Sequence, residues 1–154
     1  MKLCIVRHGL AEVGADSDQQ RPLREEGAEQ ARLAGLWLAD AALQSPLIVS
    51  SPFVRAQQTA EAIASSLAQE VRFSDQLTPS SSPQQLLGEV SNLQQDVVLV
   101  SHLPLVGRLA ALLVEGQVFD QPWSPAECWL LEGDVFAAAC MTVTQVWYPE
   151  LARS

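Results

Sequence analysis

Three short runs of apolar residues lie in the first two thirds of the chain, and polar residues end each of them. The runs are Leu3–Val6, Leu47–Val49 and Val97–Val100. Uninterrupted apolar runs of this length are typical of strands that are buried on both faces of a parallel sheet. We therefore predict three core strands at these positions.

The segments between these runs carry apolar residues at helical spacing among many good helix formers. The spacing predicts four helices, over Glu25–Leu43, Phe53–Leu67, Pro83 to about Leu93, and Leu105–Val114. Ser51 is the expected N-cap of the second helix, with Pro52 as its first residue. Residues 10–24 are polar and rich in turn formers, which indicates a loop, and Thr78–Pro83 has the composition of a flexible segment.

The remaining strands are predicted from their content of Val, Thr and aromatic residues. They are a short strand at Val71–Phe73 and two final strands, around Cys128–Leu131 and within Ala138–Trp147. Strand and helix alternate through most of the 154 residues, which predicts a single α/β domain over residues 1–154. We expect a three-layer α/β/α sandwich with a mainly parallel central sheet and, because no helix separates the last two strands, an antiparallel edge strand.

Charge and cysteine content narrow the possible partners. Nine Lys and Arg against eighteen Asp and Glu give a formal net charge of −9, which argues against binding to nucleic acid or to an anionic membrane surface. The three cysteines are widely spaced and form neither a disulfide framework nor a zinc motif. No stretch has the length and apolarity of a membrane span. We expect a cytoplasmic protein without a metal.

Side chains that could take part in catalysis follow the ends of the three core strands. Arg7 and His8 follow the first strand, Arg55 follows the second after one helical turn, and His102 follows the third. Because open α/β sheets bind ligands beyond the carboxyl ends of their strands, these four side chains are expected to face one crevice. A single histidine or arginine there is most often structural, but both histidines of the chain occupy equivalent positions. This coincidence favours a functional site.

Two arginines and two histidines suit an oxygen-rich anion such as a phosphoryl group. Arginine forks bind two phosphoryl oxygens at once, and helix N-termini add further donors. A neutral imidazole is also a competent nucleophile at neutral pH. Together they suggest phosphoryl transfer through a phosphohistidine intermediate.

Three motifs carry a resemblance to a known family. Leu3–Gly9 (L-C-I-V-R-H-G), Ser50–Ala60 (S-S-P-F-V-R-A-Q-Q-T-A) and Val100–Pro104 (V-S-H-L-P) resemble, in order, the three motifs of the histidine phosphatase superfamily, also called phosphoglycerate-mutase-like. Arg21-Pro22-Leu23 and Ser101–Gly107 are further similar to the compact SixA-type phosphohistidine phosphatases. The resemblance covers essentially the full chain, although the part after Val114 carries little of it.

The resemblance implies roles for individual residues. His8 is implied as the nucleophile, and Arg7, Arg55 and His102 as the rest of the catalytic phosphate pocket. Arg21 is implied as an additional substrate-side arginine, and Asp18 and Ser51 are further candidates for substrate binding. The resemblance implies neither a metal nor another cofactor.

The chain departs from the family pattern at one point. Larger members carry an acidic general acid or base shortly after the second motif, where this sequence has Thr78-Pro79. Asp18 is a possible substitute. Alternatively, no acid is needed, because phosphohistidine can be protonated on its far ring nitrogen and its imidazole then leaves as a neutral group, whereas an ester leaves as an alkoxide. We hypothesise that the missing acid favours phosphorus–nitrogen over phosphorus–oxygen bonds.

The expected substrate follows from the short chain. Without long lid insertions the pocket should be shallow and open, which suits a phosphorylated side chain on a protein surface. The implied partner is a phosphorylated histidine-phosphotransfer protein or a phosphotransferase-system carrier, acted on by a monomer. Two alternatives stay open: a small-molecule phosphomonoesterase or mutase of the same superfamily, and a non-catalytic phosphoprotein-binding module on the same fold.

Overall fold

Strands and helices alternate along residues 1–153, which a computed structural model of the protein describes. The elements are β1 (Lys2–Arg7), α1 (Glu25–Ala39), β2 (Leu47–Ser50), α2 (Val54–Leu67), β3 (Val71–Phe73), α3 (Pro83–Val90), β4 (Val97–Ser101), α4 (Leu105–Glu115), β5 (Cys128–Glu132) and β6 (Thr142–Trp147). None of the helices in this part of the chain is long and apolar enough to cross a bilayer.

The strands form one six-stranded sheet in the order β3-β2-β4-β1-β5-β6. The first four strands in this order run parallel, β5 is antiparallel to β1, and β6 is antiparallel to β5. The prediction of a mainly parallel sheet with antiparallel pairing near one edge is therefore confirmed. In register, Arg7 lies opposite Ser101 and Ser50 lies opposite Val100, so the carboxyl ends of the three central strands meet at one edge.

Successive residues of the central strands point to opposite faces of the sheet and form two separate cores. Leu3, Ile5 and Leu99 pack beneath α3 and α4. Cys4, Val6, Val98 and other side chains of the opposite face pack beneath α1 and α2. Helices cover both faces of the sheet, as predicted for a three-layer sandwich.

Several element ends differ from the prediction because alanine and serine residues adopt left-handed backbone conformations that end helices and turns. α1 ends at Ala39 rather than Leu43, and Ala42 in the following turn has φ 58°. β6 begins at Thr142 rather than near Ala138, because Ala139 has φ 57° and its N–H donates to Leu112 O in α4. The earlier end of α3, at Val90 rather than near Leu93, has no such cause, because its C-cap Ser91 keeps a right-handed backbone.

The start of α2 also differs. Phe53 is the N-cap, so Ser51 and Pro52 precede the helix instead of capping and beginning it. The predicted loop over residues 10–24 contains a short 3-10 helix, Asp18–Gln20. The segment that was expected to be flexible is a turn in which Ser81 Oγ lies 2.7 Å from Thr78 Oγ1.

A close contact between two glycines fixes the turn after β1 against the first turn of α1. Leu10 N–H donates to Gln30 Oε1 at 2.9 Å, and Arg24 N–H donates to Leu10 O at 2.9 Å. A Cβ atom on Gly27 would lie 2.0 Å from Leu10 O, and one on Gly9 would lie 2.6 Å from Gly27 O. The backbones can approach this closely only because neither residue has a side chain.

We expect Gly27→Ala to lower the free energy of unfolding by about 1–3 kcal/mol, because the added methyl group overlaps the backbone of the turn after β1. Gly88→Ala is the matched control within a helix, since a Cβ atom there meets nothing within 4 Å. That variant should gain about 0.5–1 kcal/mol from the better helix propensity of alanine. Urea unfolding followed by circular dichroism measures both, and equal stabilities for the two variants would contradict the steric argument.

Candidate active site

Four of the predicted site residues come together at the carboxyl edge of the central strands. Arg7 ends β1, His8 follows it, Arg55 lies in the first turn of α2 and His102 follows β4. The ring centroids of His8 and His102 are 5.1 Å apart, and Arg55 Nε lies 3.3 Å from His8 Nε2. His8, Arg55 and His102 are 8%, 4% and 1% exposed, which places three ionisable groups in a poorly hydrated crevice.

The hydrogen bonds of His8 fix which ring nitrogen carries the lone pair. His8 Nδ1 lies 2.7 Å from Gly9 O, an acceptor, so Nδ1 carries the proton. His8 Nε2 is then unprotonated and accepts from Arg55 Nε. Thr59 holds this arrangement together, because Gly9 N–H donates to Thr59 Oγ1 and Thr59 Oγ1 donates to Arg55 O. The lone pair of His8 Nε2 thus points at the guanidinium group of Arg55 and accepts its Nε–H.

The environment keeps the His8 ring neutral. Burial is the main cause that lowers the pKa of His8 from 6.5 to about 4. The bond to Gly9 O raises the pKa, while the charges of Arg55, Arg7 and Arg21 lower it further. His8 is therefore an uncharged imidazole at neutral pH, and its Nε2 lone pair carries no proton, which is the state that a nucleophile needs.

His102 is held through its other ring nitrogen. His102 Nε2 lies 2.8 Å from Ser51 Oγ, which also accepts a hydrogen bond from Phe53 N–H at 3.2 Å. Because Ser51 Oγ already accepts from Phe53 N–H and His102 Nε2 is the acceptor within its reach, the hydroxyl donates to Nε2, and the remaining proton of the neutral ring sits on Nδ1. Burial, followed by the charge of His8, lowers the pKa of His102 to about 2, so this ring is neutral as well.

Two buried side-chain nitrogens at this site have no hydrogen-bond partner. They are Arg7 Nε and His102 Nδ1, and the side chains described over residues 1–152 contain no other buried nitrogen or oxygen in this condition. Arg7 is anchored at its far end, where Nη1 donates to Trp123 O at 2.7 Å. Unpaired buried donors are costly, so their coincidence here indicates a site built to receive hydrogen-bond acceptors.

Asp18 and Arg21 flank the crevice from the loop after β1. Asp18 Oδ2 accepts from Arg55 Nη2 at 3.2 Å, and Asp18 Oδ1 accepts from Arg21 Nη1 at 2.9 Å. The hydrogen bond from Arg21 is the largest of the effects that lower the pKa of Asp18. Asp18 is consequently a carboxylate at neutral pH, and this disfavours it as the substitute general acid considered from the sequence.

The seven candidate residues form one connected group, but the sequence did not identify three of their partners. Thr59 orders His8, and Phe53 lies with its ring centroid 5.1 Å from that of His102. Trp123 comes from an irregular segment that carries no motif. Thr59 and Phe53 lie within the second motif, S-P-x-x-R-A-x-Q-T. Their place in that motif could have identified them as site residues from the sequence.

Thr78-Pro79, where larger members carry an acid, provides no carboxyl group. Thr78 Oγ1 lies within its own turn, against Ser81 Oγ. Residues 1–153 also contain no cluster of three or more His, Cys, Asp or Glu side chains that could hold a metal ion.

Comparisons with known proteins agree with the geometry. A family model of the histidine phosphatase superfamily (branch 1) matches residues 3–79. The phosphohistidine phosphatase SixA of Escherichia coli (strain K12) is 36% identical over 125 residues, which cover 76% of this chain and 76% of that protein. A SixA homolog of Haemophilus influenzae is 37% identical over 128 residues, covering 73% of this chain and 77% of the homolog.

Solved structures match the whole fold. The structure of the protein histidine phosphatase SixA complexed with tungstate has a TM-score of 0.89 to this chain at 28% identity, and the match covers 99% of each chain. The putative phosphohistidine phosphatase SixA from Agrobacterium tumefaciens, at 19% identity and a TM-score of 0.80, has the same fold. The predicted phosphoglycerate-mutase-like fold class is confirmed.

We expect neither histidine ring to take up a proton between pH 8 and pH 5. Burial opposes protonation, and His8 should titrate near pH 4 and His102 at lower pH still. The unfolded chain protonates its histidines near pH 6.5, so it binds more protons than the folded chain below that pH. Folding stability contributed by His8 should therefore be lost as pH falls from about 6.5 towards about 4.

Nuclear magnetic resonance measures this directly, because the chain has only two histidines and their ring ¹⁵N signals are easily assigned. The urea-unfolded protein is the internal reference, with both rings titrating near pH 6.5. A folded-state pKa of 6 or higher for His8 would contradict the described burial and charge environment.

Proposed function

The chain is a hydrolase that belongs to the histidine phosphatase superfamily, and we propose that it removes the phosphoryl group from phosphohistidine on a phosphotransfer protein. The observation that carries the proposal is the pair of buried, unpartnered nitrogens, Arg7 Nε and His102 Nδ1, beside the unprotonated Nε2 of His8. A tetrahedral phosphoryl group supplies acceptor oxygens for both nitrogens and an electrophilic atom for the lone pair. The SixA relatives make phosphohistidine the substrate class to test first.

In the first step, His8 Nε2 attacks the phosphorus atom. A His8 Nε2–P bond forms while the bond from phosphorus to the substrate nitrogen breaks, and the substrate imidazole leaves with the electron pair of that bond. Arg55 contacts the attacking nitrogen and contributes its positive charge, while the unpaired N–H groups of Arg7 Nε and His102 Nδ1 can stabilise the charge on the equatorial oxygens of the transferring group. In the second step, water attacks phospho-His8, orthophosphate departs and the neutral imidazole is restored.

Leaving-group chemistry explains how the site can work without a general acid. Phosphohistidine protonated on its far ring nitrogen releases a neutral imidazole, which needs no further proton. A phosphate ester of serine releases an alkoxide and depends on an acid to protonate it. Because Asp18 is held as a carboxylate and Thr78 carries no acidic group, this site favours the phosphorus–nitrogen bond.

The surroundings of the crevice suit a protein substrate. A surface depression of about 380 Å³, lined by Val13, Ala15, Ser17, Asp18 and Arg21, lies on the side of the loop after β1. Val13 is 78% exposed there and can contact a partner surface. The proposed partners are a histidine-phosphotransfer domain or a phosphotransferase-system carrier, met by a monomer in the cytoplasm.

We expect wild-type protein to release orthophosphate from a ³²P-labelled histidine-phosphotransfer protein, and His8→Ala to be at least about 1,000-fold slower, because loss of a nucleophile removes the covalent pathway. Quenched wild-type reactions should contain acid-labile, base-stable phosphate on the enzyme. Equal rates for the two proteins would overturn the role of His8.

Two further substrates in the same assay distinguish the alternatives. A phosphoserine peptide should turn over at least about 100-fold more slowly than the phosphohistidine protein, since its leaving group lacks an acid. Comparable rates, or efficient interconversion of phosphoglycerates, would favour the phosphomonoesterase or mutase alternative. Binding of the phosphoprotein without any release of phosphate would favour a non-catalytic binding module.

We expect Ser51→Ala to lower kcat/KM by about tenfold or more, because the Ser51 hydroxyl selects the His102 tautomer whose Nδ1–H can stabilise the transferring group. Ser50→Ala is the matched control: Ser50 is equally buried on β2, but its hydroxyl donates to Ser51 O at 2.9 Å. Steady-state kinetics on the phosphohistidine protein, with a thermal melt of each variant, separates the catalytic effect from loss of fold. Equal kinetics for the two variants would exclude tautomer selection by Ser51.

A further inference from the structure

The segment between α4 and β5 wraps around the end of β1 and contacts both residues of the first motif. Trp123 O accepts from Arg7 Nη1 at 2.7 Å, and Glu127 O accepts from Arg7 N–H at 3.2 Å. Ala126 N–H donates to His8 O at 3.1 Å. Residues 123–127, here called the tryptophan turn, therefore hold Arg7 at its backbone and at the far end of its side chain.

Hydrogen bonds to Glu127 close the tryptophan turn. Its carboxylate accepts from Ser124 N–H through Oε1 at 3.0 Å and from Trp129 Nε1–H through Oε2 at 2.6 Å. Its backbone carbonyl also accepts from Trp123 Nε1–H at 2.8 Å. One residue thus bridges the turn, the indole of Trp123 and the indole of Trp129.

Stacking of the two indoles makes this assembly rigid. The Trp123 and Trp129 ring centroids are 4.5 Å apart, with 24° between the ring planes. Trp129 lies within β5, so the stack ties the irregular turn to a fixed element of the sheet. The carbonyl oxygen of Trp123, which anchors Arg7, takes its position from this stack and from Glu127.

The turn needs such support because its backbone is strained. Ala126 is buried and has φ 59°, the left-handed region that residues with a Cβ atom rarely adopt. The charge of Glu127 also raises the pKa of Arg7, against the larger lowering by burial. Glu127 therefore acts on Arg7 through both geometry and charge.

We propose that Glu127 is a positioning residue for phosphate binding: by bridging Ser124 and Trp129 it holds Trp123 O against Arg7 Nη1 and so keeps Arg7 Nε aimed into the crevice. The inference rests on the proposed function, because it takes Arg7 as a ligand of the phosphoryl group. Glu127 does not touch that group itself. Its effect is on the affinity of the site for tetrahedral oxyanions.

Tungstate is a suitable probe because the SixA structure that matches this fold holds it. Glu127→Gln keeps the shape of the side chain but replaces one acceptor oxygen by a donor, which must then face an N–H group. The Kd for tungstate, measured by calorimetry, should rise about tenfold. In the phosphohistidine assay KM should rise more than kcat falls, since His8 and His102 keep their own hydrogen bonds.

Glu132→Gln is the control with the same change in net charge. Glu132 lies at the end of β5, and its carboxylate is 3.8 Å from Lys2 Nζ at the opposite end of the sheet from the site. This variant should bind tungstate as wild type does. If Glu127→Gln fails to fold, Trp129→Phe tests the same bridge by removing the indole donor, and a rise in Kd of a few fold is expected.

The possible outcomes distinguish a failure of the proposed function from a failure of the positioning role of Glu127. Wild-type protein that does not bind tungstate would overturn the proposed function and this inference together. If the wild type binds tungstate and a folded Glu127→Gln variant, or Trp129→Phe, has the same Kd, only the role of Glu127 is overturned. An equal loss of affinity in Glu132→Gln would assign the effect to net charge and would also overturn it.

Discussion

Burial of hydrogen-bond donors without acceptors is the constraint on which this site depends. Arg7 Nε and His102 Nδ1 are buried, and no protein acceptor among the described residues pairs with either nitrogen. Each unpaired buried donor lowers stability by about 1–3 kcal/mol, which the two apolar cores beneath the helices must offset. The arrangement becomes favourable when an anion supplies the missing acceptors, so the fold holds the donors ready for the charge that develops during phosphoryl transfer.

Burial leaves the arginines and the histidines of this site with different charges. Arginine keeps its proton even when burial lowers its pKa, so Arg7 and Arg55 remain positive. Histidine loses its proton under the same conditions, so His8 and His102 are neutral. In the mechanism that we propose, the charged groups attract the phosphoryl oxygens, and the uncharged His8 ring keeps the lone pair that attacks. In a better hydrated site the histidines would be partly protonated near pH 7, and their charge would differ less from that of the arginines.

The parts of the fold that were predictable depend on burial, and the parts that were not depend on local backbone geometry. Leu3–Val6 and Val97–Val100 are continuous apolar runs because both faces of the sheet are covered, and this pattern located the strand ends and so the motif residues. The turns at Ala42, Ala126 and Ala139 have positive φ, yet alanine gives no sequence signal for that conformation. Serine is a preferred N-cap residue, but the Ser51 hydroxyl is hydrogen-bonded to His102 Nε2.

The lowered pKa of Asp18 supports the selectivity that we propose for a site without a general acid. Arg21 and Arg55 both bind its carboxylate, and a proton there would weaken those bonds, so Asp18 cannot act as an acid without loosening Arg55. The mechanism that we propose therefore requires a substrate whose leaving group departs unaided. Phosphohistidine does so, because its second ring nitrogen accepts a proton before the bond to phosphorus breaks. Selectivity in such a site follows from the leaving group of the substrate, and the protein has only to hold the phosphoryl group and present His8 Nε2.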